Sequence, residues 1–520
     1  MAGGITTYRA RRSGVDPAVL AAVLQHEGFT AEPAERISRT VLDTFDGRIA
    51  AAGLRLDLTT PVGSARRAVG GELVLRGGPG APARVLVAGV PRIATDVPAG
   101  PLRFRLARLL DVRVLMSFVT VVTDRTIATR RNGTGKTTVV AVTYEGATAG
   151  DADLDELLVE VVELAGYAKP ADDLRDALAE IGLRQADNDV VGIAASATGV
   201  DLNGCVVAPG VALASDVPAL DGFRAVLANL RDAIVANWDG TIADVDPEFL
   251  HDLRVAVRRT RSVLSNAKNV IGDDVRARAR AEFGWFGEIT GPARDLDVYQ
   301  IEWSTYIGPL AADALEPVRA HLEAQRQAEH ELLSKELVAE RATRIIDEWT
   351  AWLDHPAVDD DQADGADRPI GELIAKRVRR THRTMVGRGR TITPDTHADV
   401  LHELRKDAKK LRYLLECFGG LYEPAARKAF VRRLKALQDN LGEHQDAEVH
   451  VFHLRELADT LAPKSTTETV LATGQLIERM EQRRIASRDE FAERFAAFDS
   501  SKTADALAAL LASASDAASQ

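Results

Sequence analysis

The chain has 520 residues, a formal net charge of −12, a hydrophobic content of 46% and an aromatic content of 5%; that length exceeds one ordinary core and predicts two or three domains of roughly 100 to 250 residues. Its two cysteines, Cys205 and Cys417, lie far apart and beside no histidine cluster, which argues against a disulfide framework or a zinc site and for a reducing compartment. No basic region leads into an apolar leader and no run of about 18 apolar residues occurs, so neither secretion nor a membrane span is expected and the expected location is cytoplasmic.

Near the N-terminus "DPAVLAAVLQHEGF" predicts a helix capped by Asp16 with Pro17 in its first position. From Thr40 to about Tyr144 short runs such as "GELVLRG", "ARVLVAGV", "VRVLMSFVTVVTD" and "TTVVAVTY" predict a largely antiparallel β region with Gly and Pro turns. Two further helices are expected at "LDELLVEVVELAGY" and "ADDLRDALAEIGL", with Glu160 and Glu163 of the first forming a polar edge. The N-terminal domain is thus α+β and spans residues 1–190. Within it "GTGKTT" resembles a phosphate-binding loop, but the glycine required five residues before Gly135 is Arg130, and "NGT" reads as a hairpin turn.

Residues 191–215, rich in Ala, Gly, Ser and Val, read as a linker. A helical domain follows over 216–505, interrupted by the acidic loop "DHPAVDDDQADGADRP", and 506–520 read as a frayed tail. The helical half repeats itself. "HDLRVAVRRTRSVL" at 251–264 has a second copy, "HELRKDAKKLRYLL", at 402–415. The constant offset of 151 pairs His251 with His402, Arg254 with Arg405, Arg258 with Lys409, Arg259 with Lys410 and Arg261 with Arg412. The register runs on through Gly291 with Gly442 and Asp295 with Asp446, and Pro218 falls opposite Pro369. Two copies of one unit, 216–353 and 369–505, each of about four helices, explain a register held over that length.

On a helix, His251, Arg254, Arg258 and Arg261 form one cationic stripe, beside an apolar stripe of Leu253, Val257, Thr260 and Leu264. His402, Arg405, Lys409 and Arg412 repeat the first stripe, and Leu404, Ala408, Leu411 and Leu415 the second. Like charges at such spacings destabilise a helix by a few tenths of a kcal/mol per pair unless an anion relieves them. Lys376, Arg379, Arg380 and Arg383 in "IAKRVRRTHRTMVGRGR", and Lys428, Arg432 and Lys435 in "RKAFVRRLKALQ", add further cations on neighbouring helix sides. A cationic groove in an acidic protein concentrates the field on the groove. "RDLD" at 294–297 reads as a capping or helix-linking element, and His444 and His450 lack a pattern that would make them metal ligands.

Both copies resemble the paired repeats of the CHAD domain, the conserved histidine α-helical domain, through "HDLRVAVRRTRSVL" with "GPARDLDVY" and "HELRKDAKKLRYLLECF" with "LKALQDNLGEHQDAEVH", over about residues 216 to 500. The resemblance implies two pseudo-symmetric four-helix bundles and a basic surface that binds inorganic polyphosphate. It carries the binding role onto His251, Arg254, Arg258, Arg259, Arg261, His402, Arg405, Lys406, Lys409, Arg412 and Lys435, with Arg377, Arg383 and Arg432 as further positions. Polyphosphate granules then become the expected site within the cytoplasm, and histidines titrating near neutral pH would make affinity rise as pH falls.

"TVLDTFDGRIAAAGLRLDL" with "GELVLRG" and "LLDVRVLMSFVTVVTD" is similar to the CYTH fold, an antiparallel β tunnel whose members carry an N-terminal E-x-E-x-K metal motif. Here the N-terminus reads "ITTYRARR", with arginines where acids are expected. The expectation is a degenerate CYTH-like domain with no catalytic residues, no metal site and no cofactor, retaining anion affinity through Arg9, Arg11, Arg55, Arg76, Arg103 and Arg105. The leading function is therefore a non-catalytic polyphosphate-binding protein. The alternatives are a metal-dependent triphosphatase or polyphosphatase acting through the CYTH-like domain, and a nucleic-acid binder, which the lack of aromatics in the repeat helix disfavours.

Overall fold

A computed structural model describes residues 4–63, 70–77, 82–202, 211–355 and 363–516, with side chains through residue 513. The chain divides into two units, residues 1–206 and 207–520. Cys205, part of the expected linker and the centre of the acidic loop lie outside the described residues.

The first unit runs β1 (Ile5–Arg11), α1 (Pro17–His26), β2 (Phe29–Ala31), β3 (Glu35–Asp43), α2 (Arg48–Ala51), β4 (Arg55–Pro61), β5 (Gly71–Arg76), β6 (Ala83–Val87), α3 (Pro101–Leu110), β7 (Met116–Arg131), β8 (Thr137–Ala149), β9 (Ala152–Asp153), β10 (Glu156–Glu163), α4 (Ala168–Glu180), β11 (Arg184–Ala186) and α5 (Val190–Thr198). All strand pairings are antiparallel, in the order β11-β1-β10-β8-β7-β3-β4-β5-β6. The Asp16 side chain accepts from the Ala18 amide at the start of α1, as its position before Pro17 predicts. "NGT" turns β7 into β8: the Asn132 side-chain oxygen accepts from the Thr134 and Lys136 amides, and Gly135 takes φ +79°, which suits a residue without Cβ.

Two expectations change here. "LDELLVEVVELAGY" forms strand β10 rather than a helix, since its Leu and Val side chains are held on both faces: Leu157, Val159 and Val161 pack in one core cluster and Leu158 in another. A strand buried on both sides reads as a continuous apolar run, which periodicity does not separate from a buried helix. Residues 191–198 of the expected linker lie in α5, which is capped by Asp189 on the Gly192 amide and closed by Gly199 at φ +68°. Val190, Val191, Ala194 and Ala195 tuck this helix against the sheet.

The second unit contains α6 (Ala219–Ala236), α7 (Trp238–Ile242), α8 (Pro247–Asn266), α9 (Asp273–Ile289), α10 (Gly291–Ile307), α11 (Ala312–Val338), α12 (Glu340–Asp354), α13 (Ile370–Gly389), α14 (Ala398–Cys417), α15 (Pro424–Leu461), α16 (Thr467–Phe498) and α17 (Ser501–Asp516). The last of these carries much of the expected tail, because Leu510 and Leu511 bury against the helical core.

The offset of 151 is visible as a twofold relation. Pro218 and Pro369 form an isolated antiparallel bridge. Around it the Ala219 amide donates to Arg368 O at 2.8 Å and the Ile370 amide to Val217 O at 2.9 Å, a pair of bonds that exchange under the repeat. The Leu220 amide to Ala366 O and the Gly371 amide to Ser215 O form a second such pair. Helices α9 and α10, broken at Thr290, correspond to the single helix α15; Pro292 lacks an amide hydrogen and interrupts the ladder where the second copy has Glu443.

"RDLD" lies inside α10 rather than capping it. Asp297 is fully buried and accepts from Arg326 Nε at 2.8 Å and contacts His330 Nε2 at 3.1 Å, with Asp244 closing the network on Arg326 at 2.6 Å. Replacing Asp297 with Ala leaves Arg326 on Asp244 and removes the acceptor of its Nε and the contact of His330; a loss of about 1.5–3 kcal/mol in urea unfolding is expected, and a loss under about 0.5 kcal/mol would mark the network as dispensable.

Candidate functional site

Helix α8 starts where the Asp246 side chain accepts from the Glu248 amide and Pro247 takes the first position, and α14 starts after His397. Their expected apolar stripes are fully buried: Leu253, Val257, Thr260 and Leu264 in α8, and Leu404, Ala408, Leu411 and Leu415 in α14, are each 0% exposed. The two helices also pack on each other, which brings their cationic stripes to one place.

Two clefts meet there, each of about 630 Å³. Both are lined by Arg258, Lys409 and Tyr413. Arg258 and Lys409 are repeat equivalents, so the shared point lies where the copies mirror one another. Among the described residues neither takes part in an ion pair, and Arg258 Nε is buried without a hydrogen-bond partner. Burial, reinforced by Arg405 and Arg258, pulls the Lys409 ammonium down to about 8.

The first cleft is mixed. Arg259 and Arg412 both reach Glu416, the former at 2.6 Å, and Arg405 pairs with Asp446 at 3.1 Å. Glu302, Asp439 and Glu443 also line it. The cations that line the second cleft are Arg258, Arg261, Arg280, Lys406, Lys409 and Lys410, and among the described residues no carboxylate lines it. Lys406 holds Glu403 at 2.8 Å, and the other five make no ion pair among the described residues; cations gathered in this way suit an anion that brings several charges at once.

Arginines 254 and 405 lie deeper. Arg254 donates to Thr290 Oγ1 at 3.0 Å and Arg405 to Leu441 O at 2.9 Å. A Cβ at Gly291 would stand 3.5 Å from Arg254 Nη1, and one at Gly442 3.0 Å from Arg405 Nη1. The repeated glycine therefore leaves room for the repeated arginine. Burial pulls Arg254 down to about 10, which leaves it charged at neutral pH.

Not every expected residue joins this cluster. His251 lines the first cleft, whereas His402 lines neither and its Nδ1 bonds Gln445 Oε1 at 2.6 Å. Lys406 lines the second cleft but pairs with Glu403, whereas Lys435 lines neither cleft and pairs with Asp439 one turn along its own helix. Arg377 lines a third cleft, described below, and Arg383 and Arg432 are exposed on helix surfaces away from all three. Glu416 of α14 follows Arg412 by one turn and holds it, and Asp439, Glu443 and Asp446 of α15 and Glu302 of α10 join it in lining the first cleft. Sequence reading missed Arg280 and Arg483 because both stand outside the repeated motif; Arg280 falls opposite Val431. His450 packs between Tyr299 and Tyr306, and burial holds it at about 4, a neutral core histidine.

The first unit gathers charge differently. Arg39 of β3 meets Asp57 of β4 at 2.9 Å, Asp189 at 3.2 Å and Glu160 of β10 at 3.5 Å. Since β10 and β3 are separated by β8 and β7 in the ladder, the sheet curls until these strands face each other. Arg55 pairs with Asp189 at 2.5 Å and with Asp57 at 3.0 Å, and Arg76 with Asp57 at 2.6 Å. Glu160 thus points inward from a strand, while Glu163 faces Arg175. Three guanidinium groups are matched by three carboxylates, so the interior is self-neutralised. Arg103 is committed to the Val97 and Thr95 carbonyls and Arg9 approaches Glu156 at 3.9 Å, whereas Arg11 is exposed. Among the described residues no group of three or more His, Cys, Asp or Glu side chains could hold a metal ion, and no helix is long and apolar enough to cross a membrane.

Residues 225–455 match the family model of the CHAD domain. The chain is 26% identical over 267 residues to the uncharacterised protein Rv2226 of Mycobacterium tuberculosis, covering 50% of each; it spans about half the length of the curated relatives it matches. The CHAD domain from the plant Ricinus communis aligns at 27% identity over 55% of this chain and 94% of its own, with a TM-score of 0.47. PptA from Streptomyces chartreusis aligns at 17% identity over 54% and 99%, with a TM-score of 0.42. HpAC1 from Hippeastrum, an adenylyl cyclase homologue described as having a dominant triphosphatase activity, aligns at 14% identity over 38% and 96%, with a TM-score of 0.28.

Proposed function

We propose that the CHAD domain carried by residues 225–455 binds inorganic polyphosphate across α8 and α14, without catalysis. The acid-free cleft entered at Arg258 and Lys409 is the observation that carries this reading. Arginine offers paired donors to phosphate oxygens and lysine a compact charge, so the five cations of this cleft that make no ion pair neutralise successive phosphates and release their counterions. Tyr413 is the one aromatic among that cleft's lining residues, too few to stack the bases of a nucleic acid. Direct competition between long-chain polyphosphate and RNA at physiological salt is expected to leave polyphosphate bound; preferential retention of RNA would replace this reading.

Catalysis by the first unit is disfavoured by its self-neutralised interior, where Arg39, Arg55 and Arg76 already hold carboxylates. Incubation with tripolyphosphate and magnesium or manganese is expected to release no phosphate, and steady release would establish the triphosphatase reading instead. Association with polyphosphate granules follows from the binding role and is tested by co-sedimentation with them.

Lys409 gives binding a pH dependence of defined sign. In the free protein its ammonium titrates at about 8, and a bound polyanion raises that value. The contribution is therefore complete below about pH 8 and lost above it, so affinity should fall about tenfold between pH 7 and pH 9. Lys409→Arg should flatten the curve, and a flat curve in the unsubstituted protein would remove Lys409 as a charged contact.

A further inference from the structure

The acid-free cleft does not end at the repeat axis. It shares Ser265 and Lys410 with a third cleft of about 520 Å³, whose other cations are Lys268, Arg368, Lys376, Arg377 and Arg380. Asp407, the acid of that lining, is taken by Arg388 at 2.8 Å. Among the described residues Lys268, Arg368, Lys376, Arg380 and Lys410 make no ion pair. Arg377 donates to Lys268 O at 3.0 Å, lies over the Phe223 ring, and keeps Nη1 buried without a partner.

This extension exists on one side alone. Under the offset of 151, Lys376, Arg377 and Arg380 of α13 fall opposite Ala225, Val226 and Asn229 of α6. The first copy therefore supplies no equivalent arm. From His251 in the first cleft to Ser265 in the third, α8 runs 14 residues, about 21 Å at 1.5 Å per residue. A P–O–P link has fewer bonds than an extended residue, whose reach is about 3.5 Å. Three linked phosphates thus cover less than about 10 Å, under half of the track.

We propose that the third cleft is a separate subsite for the continuation of an extended phosphate polymer, which makes the protein select long chains over short ones. The subsite rests on the polyphosphate reading above: the junction at Arg258 and Lys409 takes any chain, and the α13 arm engages only a chain long enough to leave the junction.

The test compares tripolyphosphate with polyphosphate of about a hundred units on the full chain, unsubstituted and as Lys376→Gln with Arg380→Gln. Both side chains are exposed, so the variant should keep its thermal midpoint. Long-chain affinity should fall about tenfold and its log–log salt slope by about 2, one per lost phosphate contact, with tripolyphosphate affinity unchanged. Equal losses for both ligands, or for neither, would overturn the subsite while leaving binding at the junction intact. Failure of the unsubstituted protein to bind either ligand would overturn the polyphosphate reading itself.

Discussion

Reversing charge at the junction, with Arg258→Glu and Lys409→Glu in one chain, is expected to weaken polyphosphate binding by at least about a hundredfold. Each side chain would otherwise give a charge-assisted contact of about 1.5–3 kcal/mol, so two losses amount to about 3–6 kcal/mol before any repulsion is added. The junction is the right place for the substitution because neither residue holds a carboxylate, and reversal leaves no acid unpaired. Thermal midpoint and far-UV spectrum should stay close to those of the parent. Arg412→Gln is the contrast: Arg412 shares Glu416 with Arg259, and its removal should weaken binding by no more than a few fold. Equal effects of the two variants would mean that bulk positive charge, rather than the acid-free junction, governs affinity.

The second large effect concerns the first unit. Asp57 is fully buried and compensates Arg39, Arg55 and Arg76 together; burial alone would raise its pKa, but the three guanidinium groups hold it below the ordinary carboxylate range. Asp57→Ala takes the carboxylate from Arg76 and leaves Arg39, itself 3% exposed, and Arg55 to share Asp189 and Glu160, and should cost the first unit about 3 kcal/mol. An early urea transition is expected, with polyphosphate affinity retained by the second unit. Acid should act on the same cluster. Burial pushes Asp189 up, yet Arg39 and Arg55 outweigh it and hold the carboxyl at about 2. Its stabilisation is thus present above about pH 4 and is lost as pH falls towards 2. An unchanged unfolding profile in Asp57→Ala would show that the arginines find solvent or other partners once released.

Much of the second unit was legible because the repeat left the same chemistry twice. His251 with His402 and Pro218 with Pro369 set the register, and the structure converts that register into reciprocal hydrogen bonds. The stripes were legible too, since side chains three and four residues apart share a helix face whatever the tertiary context. What lay across from them was not: Glu416 stands in the quoted motif, but its reach to Arg259 of the other copy, and the approach of Asp439, Glu443 and Asp446 from α15, depend on packing, and so does the split into a mixed cleft and an acid-free one. The symmetry was also over-read, because His402 turns to Gln445 while His251 lines the cleft.

In the first unit, strands with turn signals were readable and β10 was not. Its Leu and Val side chains bury on both faces, which erases the alternation that marks a strand. The inward aim of Glu160 follows only once β10 is a strand, and the meeting of Arg39 with Glu160 only once the sheet curls. Of the six arginines expected to hold an external anion, Arg55 and Arg76 are occupied by Asp57 and Asp189, carboxylates that a search for E-x-E-x-K passes over.

The most direct measurement is a crystal structure of the full chain with bound polyphosphate. Phosphate density is expected between α8 and α14, with oxygens on Arg258 and Lys409. Density inside the curled sheet beside Arg39, Arg55 and Arg76, with the α8–α14 junction empty, would contradict that expectation.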